Sequence, residues 1–194
     1  MTQEEYLASV QKSQEEAHDE TMWGKPARDI ITGIGNNGGI RPVRAIWELV
    51  QNARDVVCDG KRAKIVFTRN ENSLDFMHDG VPFTHKTIEA LIMQTSSKVS
   101  SNNVQVGQYG TGFLTTHVFG CKLYVTGSLD MGKYTPNTFA DINRFVIDRT
   151  YNNITEFVDK VAHQLLAVND YADAPKTSVC RQWTQLSYDL SSME

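Results

Sequence analysis

The chain has 194 residues, of which 40% are apolar and 22% are charged, a composition typical of a globular domain rather than of a disordered or fibrous chain. With 19 Lys and Arg residues against 23 Asp and Glu residues, the net charge is −4, so the chain lacks the cationic surface that non-specific nucleic-acid or membrane binding requires. The three cysteines, Cys58, Cys121 and Cys180, form no CxxC pair, which predicts a reducing cytoplasm rather than a disulfide framework or a zinc site. No stretch reaches the roughly 18 apolar residues of a membrane span, and no signal-peptide pattern opens the chain. We therefore expect one soluble domain covering residues 1–194.

The chain begins with a charged segment, and a glycine-rich stretch follows it. Residues 2–20 are rich in Glu with few apolar positions, and we expect an N-terminal helix within 1–25 that docks weakly or belongs to a partner surface. Gly33, Gly35 and Gly38 match the G-x-G-x-x-G pattern of dinucleotide-binding folds. That fingerprint also needs a strong strand before it and an acidic residue after the next strand, and both are lacking. We interpret 33–39 as a loop leading into a helix, and the absence of G-x-x-x-x-G-K-[ST] excludes a P-loop.

Apolar periodicity predicts the remaining elements. A helix is predicted from about Pro42 to Val57, because proline suits a first helical turn and Gly60 follows the end. Thr84 is predicted to cap a short helix that runs to Met93. The other predicted elements are strands at 63–68 and 74–78, a helix at 111–119, strands at 122–126 and near 143–147, a helix at 156–168 and a closing strand at 182–190. Because strands and helices are mixed and no repeat is present, we expect one α+β or α/β domain with helices laid on one sheet.

The predicted helix 42–57 carries a narrow polar stripe. At about 100° per residue, Glu48, Asn52 and Asp55 lie at roughly 0°, 40° and −20°. The apolar residues on the opposite side, which we expect to pack on the sheet, are Ile46, Val50, Ala53 and Val57. A solvated face is the alternative interpretation, but such faces usually include Lys or Arg, and this stripe has neither. An amide oxygen beside carboxylates suits Mg²⁺, which binds few protein oxygens together with phosphate and water.

Two further motifs follow this helix in the sequence. Residues 78–83, HDGVPF, end a predicted strand with a tight turn, and residues 107–113, GQYGTGF, lead from a polar loop into a predicted helix. The glycines of the second motif let the backbone approach a phosphate, which the amides at a helix N-terminus can hold. In this order, E-x-x-x-N-x-x-D, an Asp-Gly turn and G-x-x-G-x-G resemble the GHKL ATPases, and most of all the N-terminal domain of the ninety-kilodalton heat-shock chaperones. The likeness is tight over roughly residues 40–130 and holds only in outline elsewhere.

The resemblance implies a Bergerat fold, an α+β sandwich whose helices pack on one face of a mixed, mostly antiparallel sheet. It also implies roles for the residues of the polar stripe. Glu48 would be the general base that activates the attacking water. Asn52 would bind Mg²⁺ through its side-chain oxygen, and Asp55 would lie near the adenine end of the ATP site.

The other roles concern the phosphates and the base. Residues 94–112 would form a mobile lid over ATP, entered at 95–98. Lys98 and the amides around Gly110–Phe113 would meet the β- and γ-phosphates, and Thr184 would share the adenine contact through water. The residues of the glycine motif that the resemblance assigns to the nucleotide are Gly107, Gly110, Thr111, Gly112 and Phe113.

One departure from the family pattern concerns the base-reading turn. The family has D-x-G-x-G, whose Asp accepts a hydrogen bond from the adenine amino group. Aligning Gly80 with the first family glycine puts His78 at the Asp position and Pro82 at the second glycine. Either a neutral His78 accepts through one ring nitrogen, or Asp79 takes the role after a local shift of the turn.

These features together predict a domain that binds and slowly hydrolyses ATP with Mg²⁺ within a larger chaperone-like or DNA-associated protein. Alternatives are a non-catalytic nucleotide-binding module and the ATP-binding domain of a sensor histidine kinase. The resemblance also implies a homodimer formed through the N-terminal helix and the lid, with downstream domains in a longer chain. Nucleic acid and membrane are not indicated as partners.

Overall fold

The computed structural model describes residues 27–28, 31–32, 41–57, 60–93, 113, 115–132 and 137–191. Three α-helices and one six-stranded sheet lie in these ranges. The helices are α1 (Pro42–Asp55), α2 (His85–Met93) and α3 (Ile154–Asn169). The strands are β1 (Ile65–Arg69), β2 (Ser73–His78), β3 (Lys122–Asp130), β4 (Phe139–Asp148), β5 (Lys176–Thr177) and β6 (Thr184–Asp189). Short 3-10 helices occupy Thr115–Phe119 and Asp170–Ala172.

The strands form one sheet in the order β1-β2-β6-β3-β4-β5, and every paired neighbour is antiparallel. The closing strand β6 therefore lies in the middle of the sheet, between β2 and β3. Burial alternates along much of the central strands, as expected when one face of a sheet packs against the core. The buried face carries Phe76, Leu123, Val125, Ile142, Ile147, Leu186 and Tyr188. The α+β class with helices on one face, predicted from the sequence, is confirmed.

The helix ends follow from local hydrogen bonds that the sequence indicates. The backbone N–H of Thr87 donates to Thr84 Oγ1 at 3.2 Å, so Thr84 caps α2 as predicted. Asn153 caps α3, since its side chain accepts from the backbone N–H of Glu156 at 2.9 Å, and Glu156 reaches back to the amide of Asn153 at 3.0 Å. Both helices thus begin where a short polar side chain replaces the missing helical hydrogen bonds.

The packing face of α1 differs from the prediction. Its buried residues are Ala45, Leu49 and Ala53, so the prediction is confirmed at Ala53 but is wrong for Ile46 and Val50, which are only half-buried. This face lies at roughly 60° to 140° from Glu48, so Asn52 at about 40° borders it. The reason is steric: α1 packs against the 3-10 helix Thr115–Phe119, and two alanines allow close approach of the backbones.

The second half of the sheet also differs in length. Strands β3 and β4 are longer than predicted, because a β-bulge and Gly127 interrupt the alternation from which the sequence prediction was made. At the bulge, Arg144 has φ of 52°, and its guanidinium lies 4.5 Å from the centroid of the Tyr124 ring. The short strand β5 was not predicted, and the predicted helix at 111–119 is a 3-10 helix at Thr115–Phe119.

Several predicted features lie outside the described residues. They are the N-terminal helix within 1–25, the glycine-rich loop 33–39 and the whole of the 94–112 lid. Among the helices that the structure describes, none combines the length and apolar character needed to cross a bilayer.

Two glycines with positive φ give a test of the fold. Gly120 has φ of 129°, and a Cβ there would meet the backbone carbonyl oxygen of Asp189 at the end of β6. Gly60 has φ of 78°, but no described atom lies within 4 Å of the position that its Cβ would take. We expect Gly120→Ala to lower the free energy of unfolding by about 3 kcal/mol or more and Gly60→Ala by about 1 kcal/mol, because only the first adds a backbone clash to the strain of positive φ.

Urea denaturation of both variants measures the difference between these two glycines. Equal losses of stability in the two variants would show that the contact between residue 120 and Asp189 does not limit the packing of β6.

Candidate functional site

The Asp-Gly turn after β2 is held against the C-terminal end of α1. The backbone N–H of Val81 donates to the carbonyl oxygen of Val56 at 2.9 Å. At Gly80, a Cβ would come within 2.5 Å of Val56 Cγ2 and 2.9 Å of Val56 O, so a side chain there would push the turn away from the helix. The glycine predicted at the base-reading turn is therefore required by helix packing.

Asp79 faces the strand side of the turn. Its Oδ1 accepts a hydrogen bond from the backbone N–H of Lys64 at 2.8 Å, and its own N–H donates to the carbonyl oxygen of Lys64 at 3.3 Å. These two bonds extend the pairing of β1 and β2 by one step beyond Ile65 and His78. Asp79 thus extends the hydrogen bonding between β1 and β2. In this structure the turn is not shifted in the way that would direct the Asp79 carboxylate toward the helix layer.

His78 lies on the buried face of the sheet, with 8% of its surface exposed. Its Nδ1 accepts a hydrogen bond from the backbone N–H of Gly80 at 3.2 Å, and its ring lies 5.7 Å from that of Phe76. Burial lowers the pKa of His78 below its ordinary value, although the nearby Asp79 carboxylate acts in the opposite direction. The imidazole is therefore neutral at neutral pH.

Thr184 stands directly opposite His78 in the pairing of β2 and β6. Its side chain is buried, with 4% exposed, and a Cβ at Gly127 would lie 3.4 Å from Thr184 Oγ1 and 3.6 Å from the Phe83 ring. Phe83 reaches this point because residues 79–83 cross to β3, where its N–H donates to the carbonyl oxygen of Ser128 at 2.9 Å. The structure thus brings together His78, Gly80 and Thr184, three of the residues predicted at the base end of the site.

The polar stripe of α1 is divided by its environment. Glu48 and Asn52 are half-buried beside the packed face, whereas Asp55, the last residue of α1, is exposed. Glu48 and Asn52 are four residues apart, so a carboxylate and an amide oxygen lie one turn apart on one side of the helix. The described residues contain no group of three or more His, Cys, Asp or Glu side chains that could hold a metal ion. The donor set of Glu48 and Asn52 suits Mg²⁺, which takes most of its ligands from water and phosphate.

Of the glycine motif at 107–113, the structure describes its last residue, Phe113. Phe113 is half-buried, and its carbonyl oxygen accepts a hydrogen bond from Thr116 Oγ1 at 2.7 Å. The 3-10 helix that follows packs against α1, as described above. The predicted phosphate-binding residues Lys98, Gly107, Gly110, Thr111 and Gly112 lie outside the described residues.

A buried arginine behind this segment was missed in the sequence. Arg149 follows β4, is 2% exposed, and has no carboxylate partner within the described part of the chain. Its guanidinium donates to the carbonyl oxygen of Leu91 at 3.5 Å and to His117 Nε2 at 3.3 Å, and it lies 4.9 Å from the centroid of the Phe113 ring. One cation therefore links the end of α2, the end of the glycine motif and the 3-10 helix. A lone Arg after a strand gives no sequence signal of such a role.

His117 accepts the hydrogen bond from Arg149 and must stay unprotonated at Nε2 to do so. Burial, together with the smaller effect of the adjacent Arg149 charge, lowers the pKa of His117 to about 2. Burial also raises the pKa of the neighbouring Tyr188 to about 12. The charge of Arg149 thus lies among groups that stay neutral across the physiological pH range.

Comparison with known proteins gives no further support. No protein-family model matches the chain, and no curated protein matches it. The assignment of site residues therefore rests on the three motifs and on the way in which the described residues around them are packed.

The environment of His117 predicts how stability depends on pH. The unfolded chain protonates His117 near its ordinary value of 6.5, whereas the folded chain does not until about pH 2. The contribution to stability is thus complete above about pH 6.5 and is lost as pH falls below it, by up to about 1.4 kcal/mol per pH unit. His117→Gln keeps an oxygen that can accept from Arg149 and removes the titration. We expect its free energy of unfolding to fall less between pH 6.5 and 5 than that of the unchanged protein.

Urea denaturation at each pH measures this slope, with His163→Gln as the control, because His163 is exposed on α3. A pH slope of His117→Gln equal to that of the unchanged protein would contradict the assignment of this titration to His117.

Proposed function

We propose that the chain is a nucleotide-binding domain of the GHKL type, which binds a purine nucleoside triphosphate with Mg²⁺ and hydrolyses it slowly. The observation that carries the proposal is the position of α1. Its C-terminal end contacts the Asp-Gly turn through Val56, and its buried face packs against the 3-10 helix that follows the glycine motif. The Asp-Gly turn and the 3-10 helix that follows the glycine motif in sequence thus both contact the helix that carries Glu48 and Asn52, which supports a ligand shared by the three motifs.

The roles of the residues follow from their positions in this arrangement. His78 and Thr184, paired across β2 and β6, form the base end of the site. Asn52 and Glu48 lie about one and two turns, respectively, nearer the start of α1 than its contact with the Asp-Gly turn at Val56, at the end that we assign to the phosphates. In this scheme Asn52 holds the metal through its amide oxygen, and Glu48 accepts the proton of the attacking water. Bound Mg²⁺ supplies positive charge that offsets the phosphates, and this charge is useful in a chain whose net charge is −4.

A non-catalytic module that only binds nucleotide is the second candidate. The presence of Glu48 favours the hydrolase, because a module without catalysis has no need of a carboxylate one turn before the metal ligand. A sensor kinase would need a phosphoacceptor histidine domain, for which the sequence gives no indication. We further propose that the domain acts in the cytoplasm within a longer chaperone-like or DNA-associated protein. The nucleotide would drive a conformational change there, and two copies would meet through the N-terminal segment and the lid.

The first prediction concerns binding. We expect calorimetry to detect ATP and ADP binding that depends on Mg²⁺, and Asn52→Ala to weaken binding of the magnesium complex by roughly ten-fold, because a metal ligand is lost. Asn72→Ala, in the exposed turn before β2, is the matched control and should leave the affinity unchanged. The absence of heat with any purine nucleotide at millimolar concentration would reject the proposed function. An unchanged affinity of Asn52→Ala in Mg²⁺ would reject Asn52 as the ligand.

The second prediction separates hydrolysis from binding. Glu48 makes its contact with water rather than with nucleotide, so Glu48→Ala should keep the affinity within a few-fold while hydrolysis falls by roughly 10²–10⁴-fold. The measurement is single-turnover hydrolysis over hours, with Glu71→Ala in the exposed β1–β2 turn as the control. Equal measurable rates for Glu48→Ala and the unchanged protein would remove Glu48 as the base. Binding without hydrolysis in the unchanged protein would favour the non-catalytic module.

A further inference from the structure

The two ring nitrogens of His78 are chemically different in this structure. Nδ1 accepts the hydrogen bond from the backbone N–H of Gly80 at 3.2 Å, and a nitrogen that accepts must carry a lone pair. In the neutral ring the proton therefore resides on Nε2. Within the described part of the chain, Nε2 makes no hydrogen bond, so His78 offers a ligand an N–H donor and no acceptor.

Asp79, the other candidate for reading the base, is held toward β1 through one of its two carboxylate oxygens. Asp79 Oδ1 accepts from the backbone N–H of Lys64, on the side of the turn that faces β1. Thr184, opposite His78, has a hydroxyl group that can either donate or accept, so it does not discriminate between bases. The direction of the hydrogen bond at the base end is consequently decided by His78.

We propose that this site reads its purine through a hydrogen bond donated by His78 Nε2, and that it therefore prefers a 6-oxopurine nucleotide to adenine. The proposal rests on the proposed function, because it assumes that a nucleotide occupies the site. Hypoxanthine and guanine present the O6 acceptor where adenine presents an amino group, which can only donate. Two donors facing each other in a buried place leave both groups unpaired, and this costs affinity.

Calorimetry with the unchanged 194-residue chain in Mg²⁺ tests the preference directly, with ITP, GTP and ATP as ligands. ITP is the decisive probe, because its base differs from that of ATP only at the 6-position and in the proton that N1 then carries. We expect ITP and GTP to bind roughly ten-fold more tightly than ATP. Asn52→Ala should weaken ITP and ATP by the same factor, since both would share the phosphate end of the site.

Substitution of His78 tests the cause. His78→Asp places an acceptor at the same position, so we expect the order to reverse, with ATP bound roughly ten-fold more tightly than ITP. His163→Asp, the same substitution at an exposed position of α3, should leave the preference of the unchanged protein intact. The tautomer can also be measured without ligand. Nitrogen-15 NMR spectra of the unchanged protein at neutral pH should show the ring proton of His78 on Nε2.

The outcomes separate the two proposals. No binding of any purine nucleotide at millimolar concentration overturns the proposed function. ATP binding as tight as ITP binding, or tighter, overturns the 6-oxopurine preference and leaves the proposed function in place. A proton on Nδ1, or an unchanged base preference in a folded His78→Asp variant, likewise overturns the proposal that His78 Nε2 donates the hydrogen bond that selects the base.

Discussion

The close approach of Gly80 to Val56 is the contact on which the arrangement of the site depends. A Cβ at residue 80 would lie 2.5 Å from Val56 Cγ2, so only glycine lets the turn reach the end of α1. Once the turn is there, the Gly80 N–H meets His78 Nδ1 and the Val81 N–H meets the Val56 carbonyl oxygen. One missing side chain thus positions the helix, the turn and the tautomer of the histidine together.

A second constraint is the burial of the Arg149 guanidinium. Arg149 is buried without a carboxylate partner in the described part of the chain, a costly arrangement that its neighbours offset with a carbonyl oxygen, an imidazole nitrogen and an aromatic face. These neighbours belong to α2, to the 3-10 helix and to Phe113, which ends the glycine motif. The arginine therefore stabilises the segment against which α1 packs, and it does so only while His117 is neutral.

The two constraints connect stability to the proposed chemistry. The turn at Gly80 holds the base end of the site, and the cluster around Arg149 holds the part of the glycine motif that the structure describes. Helix α1 lies between them and carries Glu48 and Asn52 along the border of its buried face. Half-burial of these two side chains reduces their rotamer freedom, which would suit the roles that we propose for them toward metal and water.

The sequence determined the elements and the candidate residues, because capping residues, glycines and apolar periodicity act locally. Thr84 and Pro42 located two helices correctly, and the alternation in 74–78 located β2. The tertiary structure decided everything that depends on partners distant in sequence. Close packing of two alanines on the 3-10 helix rotated the buried face of α1 away from Ile46 and Val50. Likewise, no local pattern could reveal that Arg149 is buried without an acid among the described residues, or that the Gly80 and Lys64 N–H groups would donate to His78 Nδ1 and Asp79 Oδ1. Each of these depends on contacts that form only when the strands and helices meet.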